Sequence, residues 1–411
     1  MAAFPAHNIL RGMPSVRAAL VATVGLFADM VAIPFLLLMA IRFRKKENRQ
    51  RIGIGPEPLI GNANLCSALR LHGLPCETYV HSLYHVTTKF DHFLGSKKRF
   101  LQRFWVPYRT THWILSRYDT VFHSFVGGGL ASTTWAWRIE PFLYRVAGIQ
   151  SIMIPYGANV YDFRENTNET VRARFLLDYP EHSSRYRTIK KRVDLWSRFA
   201  TKVVSGCDWI PYTPRIDLLM LSYFCVSPRD YENKPVRSFR PFRDKLRVLH
   251  ASKHRFIKGT DTLIAAIDEL QSEGIEIQLE LIEREPNESV KRKILETDIV
   301  ADQFVLGWYA MFSIEAMASG KPTLCYLADD LLNIYRQEGL LKDHEPPLIN
   351  TSLAGIKDTL RSIAHGKIDL AQYGRSGPPF VAKHHSLKSV GRDISRLIAQ
   401  MAQDNHSDIE Q

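Results

Sequence analysis

The sequence has little cysteine and no paired cysteine motif. Its five cysteines are an odd number and form no C-x-x-C pair, which argues against both a disulfide framework and a zinc knuckle. A reducing compartment is the simpler interpretation. The sequence also lacks a clustered carboxylate motif of the kind that would require a metal.

Neither low-complexity tracts nor a disordered composition is present. With 411 residues and 45% hydrophobic content, the chain has enough apolar material for two globular domains. Lysine and arginine total 54 against 42 acidic residues, a net charge of +12 that favours phosphorylated small molecules, anionic membranes or nucleic acid as partners. No P-loop, zinc finger or other recognised motif accompanies this charge, so nucleic acid is not the expected partner.

Only one apolar run is long enough to cross a bilayer. Residues 18–41 contain a single charge, Asp29, and a span needs about 20 apolar residues. Two basic residues precede the run and six follow it, which places the C-terminal side in the cytoplasm by the positive-inside rule. The basic residues are Arg11 and Arg17 before the run, then Arg42, Arg44, Lys45, Lys46, Arg49 and Arg51.

We therefore predict that residues 1–50 are a membrane anchor with a basic juxtamembrane segment. Asp29 weighs against a span, because a mid-span carboxylate costs about 2.5 to 3.5 kcal/mol, and Pro34 permits a kink. A re-entrant or interfacial helix is one alternative. Another is that the first 30 or so residues precede the true translation start.

Two stretches alternate between strand-like and helix-like hydrophobic patterns, at residues 51–230 and 245–385. A charged, proline-containing linker separates them at residues 227–244, and residues 386–411 are predicted to be a closing helix and tail. Such alternation predicts an α/β fold with two mostly parallel, doubly wound sheets. A ligand cleft is then expected between them, at the loops that follow the strands.

The strongest local signal follows the strand predicted at residues 246–251. Its loop carries Lys253, Arg255 and Lys258, and Gly259 and Thr260 open the next helix. Cations beside the N–H groups of a helix N-terminus are suited to hold a diphosphate. A solvated basic loop with an ordinary threonine cap is the alternative.

A second signal lies in residues 307–322, where an apolar helix is entered directly from a strand. We place Ser313 and Glu315 in its first turn, where the carboxylate would accept hydrogen bonds from ribose hydroxyls and the loop amides would face a nucleotide. The alternative is that Glu315 only interacts with the helix dipole.

Residues 246–327 resemble the donor half of retaining GT-B glycosyltransferases of family four, the sucrose synthase and mannosyltransferase type. The resemblance rests on KGTDTLIAAIDEL and on DIVADQFVLGWYAMFSIEAMASGKPTLCYL. It implies the GT-B fold, two Rossmann-like domains facing each other across a cleft. Lys258 aligns with the family lysine that grips the donor diphosphate, and Glu315 with the second glutamate of a Glu-x7-Glu motif, which binds the donor ribose.

The sequence departs from that family at two positions. The family arginine that lies five residues before the lysine is replaced by Lys253, with Arg255 nearby, so either could be the second phosphate ligand. The first glutamate of the motif is replaced by Gly307, which removes the side chain that would contact the donor sugar.

The first half of the chain resembles the acceptor half of these enzymes only in pattern. Gly61 and Asn62 are predicted in a tight loop that approaches the donor, and His123 is predicted at a strand end facing the cleft, against the donor sugar. A plain turn and a structural histidine are the alternatives. The basic and aromatic residues 97–105 could rest on anionic lipid headgroups or form an ordinary helix face.

The expected reaction is sugar transfer from a nucleotide diphosphate donor to an acceptor hydroxyl with retention, in cell-surface polysaccharide or glycolipid synthesis. Its partners would be the nucleotide sugar, a saccharide or lipid-linked acceptor, and the membrane. No cofactor is expected besides the donor itself. The alternatives are an epimerase-like enzyme acting on a sugar nucleotide and a non-catalytic scaffold of a polysaccharide assembly complex.

Overall fold

The computed structural model describes residues 16–44, 51–83, 89–95, 100–162, 164–166, 168–231, 239–283 and 285–407. Within these ranges the chain forms two α/β domains with one parallel sheet each. The predicted basic residues Arg11, Lys45, Lys46 and Arg49 lie outside the described residues, as do Lys97, Lys98 and Arg99 of the predicted lipid-facing stretch.

The first domain begins after a long N-terminal helix, α1 (Val16–Arg44). Its strands and helices, in chain order, are β1 (Ile52–Ile54), α2 (Ile60–Leu71), β2 (Cys76–Val80), β3 (His92–Phe93), α3 (Phe100–Arg117), β4 (Thr120–His123), α4 (Glu140–Val146), β5 (Gln150–Met153), α5 (Glu169–Asp178), α6 (His182–Phe199), β6 (Lys202–Gly206) and β7 (Leu218–Met220). Short 3₁₀ helices add Ala136–Ile139, Gly157–Asn159, Cys207–Tyr212 and Pro228–Asp230.

The seven strands of the first sheet have the order β3-β2-β1-β4-β5-β6-β7, and every pair is parallel. All residues of β1 and β4 are buried, because helices cover both faces of the sheet. The central strands therefore have continuous apolar character, which is why the sequence pattern located them.

The second domain contains β8 (Leu246–Ala251), α7 (Arg255–Lys258), α8 (Thr260–Ser272), β9 (Ile277–Ile282), α9 (Asn287–Glu296), β10 (Ile299–Ala301), α10 (Met311–Ala318), β11 (Thr323–Cys325), α11 (Asp329–Gln337), β12 (Ile349–Asn350), α12 (Ile356–Ala364) and α13 (Leu370–His384). Its five strands are parallel in the order β12-β11-β10-β8-β9. Strand β8 has the predicted bounds.

The last helix, α14 (Leu387–Ser407), leaves the second domain and packs on α2 of the first. The imidazole Nε2 of His72 is 2.9 Å from the carbonyl oxygen of Lys388, and a Cβ on Gly391 would lie 2.5 Å from the carbonyl oxygen of Ala68. The chain therefore passes between the domains twice.

Direct contacts also hold the two domains together. The carboxylate of Asp178 on α5 accepts the backbone N–H of Ile257 at 2.7 Å. The indole of Trp308 donates to the carbonyl of Leu221 at 3.0 Å, and the hydroxyl of Tyr335 donates to the carbonyl of Met220 at 3.2 Å. These contacts bring the strand-end loops of the two sheets against each other.

All five cysteines are free and buried. Among the described residues, α1 is the one helix that is long and apolar enough to cross a membrane, over Ala19–Arg44. It packs along its length against α3 and α4 of the first domain.

Candidate functional site at the strand ends of the second sheet

Lys258 is the last residue of α7, a single turn inserted between β8 and the start of α8. Gly259 follows in a left-handed conformation with φ of 76° and turns the chain into α8. The lysine side chain, 18% exposed, therefore stands at the carboxyl edge of the second sheet, beside the N-terminus of a 13-residue helix. An anion at this position would be attracted both by the Lys258 ammonium and by the positive end of the α8 helix dipole.

The ammonium of Lys258 forms an ion pair with Asp302, which directly follows β10 and is fully buried. The other carboxylate oxygen of Asp302 accepts the hydroxyl of Ser313 at 2.6 Å and the backbone N–H of Ala310 at 3.4 Å. Asp302 thus joins the lysine loop to the first turn of α10. The structure brings the predicted residues Lys258 and Ser313 together through a carboxylate that was not predicted.

Burial alone would raise the pKa of Asp302. The positive charge and hydrogen bond of Lys258 outweigh this effect, together with the hydrogen bonds from Ser313 and Ala310, and the pKa lies below its usual value. The carboxylate is therefore charged at neutral pH. An ammonium has three N–H donors, so Lys258 retains donors for a second anion while bound to Asp302.

The two remaining cations of this loop have different surroundings. The guanidinium of Arg255 binds Asp261 at 2.8 Å and Glu283 at 2.9 Å, and both ion pairs are partly exposed. Lys253 lies in the exposed part of the loop. The hydroxyl of Thr260 is buried and lies 2.8 Å from Nε2 of His250, so the side chain faces the core and only the backbone of this predicted residue faces the loop.

Glu315 is the fifth residue of α10, so its predicted position in the first helical turn is wrong. Its carboxylate is buried, and Oε1 accepts the amide of Asn287 at 2.9 Å and the hydroxyl of Tyr231 at 3.4 Å. The Oδ1 atom of Asn287 is also buried and has no hydrogen-bond partner among the described residues. Two acceptors thus lie side by side at the start of α9. The sequence reasoning missed Asn287 and Tyr231.

Burial raises the pKa of Glu315 to about 7, against the opposing effect of the Asn287 hydrogen bond. The folded protein therefore binds this proton more tightly than the unfolded chain does. The resulting stability is fully present below pH about 4.5, the unfolded pKa, and is lost as the pH rises through 7.

We expect the substitution Glu315→Gln to remove this pH dependence. Relative to the variant, the wild-type protein should lose on the order of 3 kcal/mol of unfolding free energy between pH 4.5 and 7. Urea denaturation of both proteins at pH 5, 6, 7 and 8 measures the difference. A constant difference across that range would contradict the raised pKa.

The predicted residues of the first domain lie at the strand ends of the first sheet, but in different environments from those expected. The helix α2 begins at Ile60, so Gly61 and Asn62 belong to its first turn. The loop after β1 therefore ends before these two residues, and they do not lie in the predicted tight loop. The amide of Asn62 donates to the backbone carbonyl of Glu57 at 3.0 Å, which closes the loop after β1.

His123 ends β4 as predicted, but its ring is enclosed instead of facing an open cleft. The residue is 3% exposed, and Nε2 lies 2.5 Å from the hydroxyl of Tyr79. Burial lowers the pKa of His123 to about 3, so the imidazole is neutral. The ring borders a cavity of about 10 Å³ with Glu57 and Asn62, which is too small for a sugar.

The glycine loop after β4 is held by Glu140, a buried carboxylate that the sequence reasoning also missed. Its oxygens accept the N–H of Gly128 at 3.1 Å, the N–H of Leu130 at 3.0 Å and the hydroxyl of Tyr144 at 2.8 Å. Gly128 must be glycine here, since a Cβ would lie 2.1 Å from Cε1 of His123. Burial raises the pKa of Glu140, and these three donors oppose that effect.

A cavity of about 400 Å³ lies between the two domains. The first domain contributes Glu165 and Asp208, and the second contributes Gly307 and Asp330, so its lining is rich in carboxylates. Burial raises the pKa of Asp208 to about 6. The cavity adjoins Gly307, which stands where the family motif has its first glutamate.

Gly307 has φ of 83°, and a Cβ at this position would lie 2.8 Å from Cβ of Ala328. A glutamate would therefore be strained both by its backbone conformation and by this contact. The loop geometry explains why glycine replaces the first glutamate of the motif. Any carboxylate that reaches this cavity must come from another position, and Asp208 and Asp330 do so.

Two solved structures are similar to this chain over most of its length. HepE of Anabaena, in complex with UDP-glucose, aligns with a TM-score of 0.51 and 14% identity, covering 85% of this chain and 99% of HepE. Sucrose-phosphate synthase of Thermosynechococcus elongatus aligns with a TM-score of 0.55 and 12% identity, covering 87% of this chain and all of the synthase. At these identities the likeness establishes the fold, which is GT-B as predicted.

No protein-family model matches the sequence, and no curated protein matches it significantly. Over the ranges that the structure describes, no group of three or more histidine, cysteine, aspartate or glutamate residues is placed to hold a metal ion.

Proposed function

We propose that the protein is a glycosyltransferase that moves a sugar from a nucleoside diphosphate donor to an acceptor hydroxyl with retention of configuration. The observation that carries the proposal is the ammonium of Lys258, fixed by the buried Asp302 at the strand-end edge of the donor-side sheet of a GT-B fold. A fixed cation at the place where a diphosphate would leave is what this chemistry needs.

In the proposed reaction the bond between the anomeric carbon and the diphosphate oxygen breaks, and a bond from the same carbon to the acceptor oxygen forms on the same face. The acceptor proton passes to the departing phosphate oxygen. Negative charge grows on the diphosphate as the bond breaks, and Lys258 with the N–H groups at the start of α8 would stabilise that charge. Asp302 keeps the ammonium in place before donor binds, so little reorganisation is needed during the reaction.

The nucleoside would lie against α9 and α10. A ribose presents two hydroxyl donors. The carboxylate of Glu315 and the unpaired Oδ1 of Asn287 are both buried, and they would accept these donors once the Tyr231 hydroxyl that donates to Glu315 moves aside. The similar HepE structure contains UDP-glucose, so uridine donors are the first to test. We further propose that the cavity beside Gly307 receives the transferred sugar, with Asp208 and Asp330 accepting from its hydroxyls.

The acceptor is proposed to be a saccharide or lipid-linked saccharide at a membrane, in cell-surface polysaccharide or glycolipid synthesis, with the catalytic domains in the cytoplasm. The apolar helix α1 supports a membrane location. Because α1 packs against the first domain, assays should use the full chain in mild detergent and not a form lacking this helix.

The test is a screen of nucleoside diphosphate sugars, beginning with UDP-glucose, for binding by calorimetry and for slow donor hydrolysis. We expect one donor to bind and to release nucleoside diphosphate. Arg255→Ala should reduce hydrolysis less than loss of Lys258 does, because two carboxylates, those of Asp261 and Glu283, pair with the Arg255 guanidinium, whereas one described carboxylate, that of Asp302, pairs with Lys258. Absence of binding for every donor would favour a non-catalytic scaffold, and an epimerised donor recovered without an acceptor would favour the epimerase-like alternative.

A further inference from the structure

The carboxylate of Asp29, in the middle of α1, is hydrogen-bonded to residues of the first domain. Asp29 is 1% exposed, and its carboxylate accepts the hydroxyl of Tyr108 at 2.5 Å and the backbone N–H groups of Trp135 and Ala136 at 2.6 and 3.1 Å. These two N–H groups open the 3₁₀ helix Ala136–Ile139, where backbone donors lack partners within the helix. Asp29 is therefore a docking contact between α1 and the first domain.

The docking face of α1 runs along most of the helix. Its buried positions recur at intervals of three and four residues, which is one side of an α-helix: Gly25, Asp29, Ala32, Leu36 and Ala40. The approach at Gly25 is close, since a Cβ there would lie 2.3 Å from Oγ1 of Thr134. The helix lies along the domain over this length instead of standing away from it.

The other side of α1 is exposed and apolar. Its exposed large side chains are Leu20, Val21, Val24, Leu26, Phe27, Met30, Val31, Phe35, Leu38 and Ile41, of which Phe27 and Leu38 are both 65% exposed. The neighbouring elements extend this surface with Trp105 (63% exposed), Trp135 and Phe142. The ring of Trp105 is 6.2 Å from that of Tyr108, which binds Asp29, so the aromatic residues adjoin the helix.

Within the described elements that form this surface, the exposed charged side chains are basic. Residues 16–44, 100–117 and 130–146, which form this side of the domain, contain only two acidic residues, Asp29 and Glu140, and both are buried. Exposed arginines occur on the same elements, at Arg42, Arg44, Arg138 and Arg145. An apolar face with interfacial tryptophans and a cationic border complements an anionic lipid surface.

We propose that α1 lies in the plane of an anionic membrane surface, with its exposed face among the acyl chains and its Asp29 face on the first domain, and that it does not span the bilayer. A spanning helix would have to withdraw Asp29 from three hydrogen bonds and place the carboxylate in hydrocarbon. The proposal replaces the span expected from the sequence and does not depend on the sugar chemistry. Its tests contain no nucleotide sugar, so its failure is distinct from failure of the proposed function.

Depth measurements along α1 distinguish the two geometries. Leu20, Phe27 and Leu38 are exposed on the same side of the helix, and Leu20 and Leu38 lie about 27 Å apart along the axis at 1.5 Å per residue. Each is replaced in turn by cysteine and labelled with a depth-sensitive fluorophore. The five natural cysteines are buried, so the introduced thiol is the one that reacts.

The full chain is purified from the membranes in which it was made and reconstituted in vesicles of phosphatidylcholine and phosphatidylglycerol. Spin-labelled lipids then report the depth of each fluorophore by quenching. We expect the three labels to have the same shallow depth. A spanning helix would place Phe27 in the bilayer interior and Leu20 and Leu38 near the two opposite faces, so a label at residue 27 that lies much deeper than the other two would overturn the proposal.

Vesicle binding of surface variants provides the second test. Phe27→Asp should weaken binding at least tenfold, whereas Leu71→Asp, at a residue 66% exposed on α2, should leave it unchanged. Omission of phosphatidylglycerol should weaken binding of the wild-type chain. Equal binding by both variants, or a stable dimer in solution that Phe27→Asp dissociates and that binds no vesicles, would overturn the proposal.

Discussion

Replacing Lys258 by alanine should reduce donor turnover by about 100-fold or more, the usual effect of deleting one preorganised group that stabilises developing charge. The same substitution should also destabilise the protein, because it leaves the buried carboxylate of Asp302 without its cation. Breaking a buried ion pair from one side costs about 3 to 5 kcal/mol. Initial rates of donor hydrolysis and urea denaturation measure the two effects separately.

A paired substitution separates catalysis from folding. Lys258→Ala combined with Asp302→Asn removes both charges, and the amide can still bind Ser313 and the N–H of Ala310. We expect this double variant to recover most of the lost stability and none of the lost turnover. Recovery of turnover together with stability would mean that Lys258 serves the fold and not the reaction.

Replacing Glu140 by alanine should have the largest effect on stability that we expect in the first domain, a loss of about 3 to 5 kcal/mol of unfolding free energy. The substitution leaves the N–H groups of Gly128 and Leu130 and the hydroxyl of Tyr144 buried without an acceptor. It also removes the carboxylate that favours the charged form of Arg192, whose pKa is lowered by burial.

Urea or thermal denaturation measures this loss, and Glu140→Gln is the matched control. Glutamine keeps the size of the side chain and one acceptor oxygen, so its effect should be smaller than that of alanine. A cost below about 1 kcal/mol for Glu140→Ala would show that water replaces the carboxylate and that the glycine loop does not depend on it.

The sequence predicted the alternation of strands and helices in the first part of the second domain because the strands there are short, buried and separated by helix signals, but it did not predict α11, β12 or α13. It located Lys258 and Ser313 in one site, but it did not identify Asp302 as their common partner. A single aspartate after a strand looks like any polar loop residue. Its importance depends on the pairing of β8 with β10, which brings together residues 44 positions apart.

The same reason explains which contacts the sequence did not reveal in the first domain and in α1. The pattern predicts His123 at a strand end, but the rings of Tyr79 and Trp196 that help to enclose it come from elements that are distant in sequence. In the sequence Asp29 is an isolated charge in an apolar run, since its partners Trp135 and Ala136 lie more than 100 residues away. The start of a helix is also poorly defined by sequence: α2 begins at Ile60 and includes Asn62, and α10 begins at Met311, which places Glu315 beyond its first turn.

The return of α14 to the first domain has a consequence for biosynthesis. The residues that cover α2, among them Val390 and Ile394, leave the ribosome only after the whole second domain has been translated. The first domain therefore cannot complete its core while it is the only part synthesised, although N-terminal domains commonly fold first. Until then the surface of α2 around Ala68 stays uncovered in the nascent chain, and the first domain reaches its final packing only after α14 has been made.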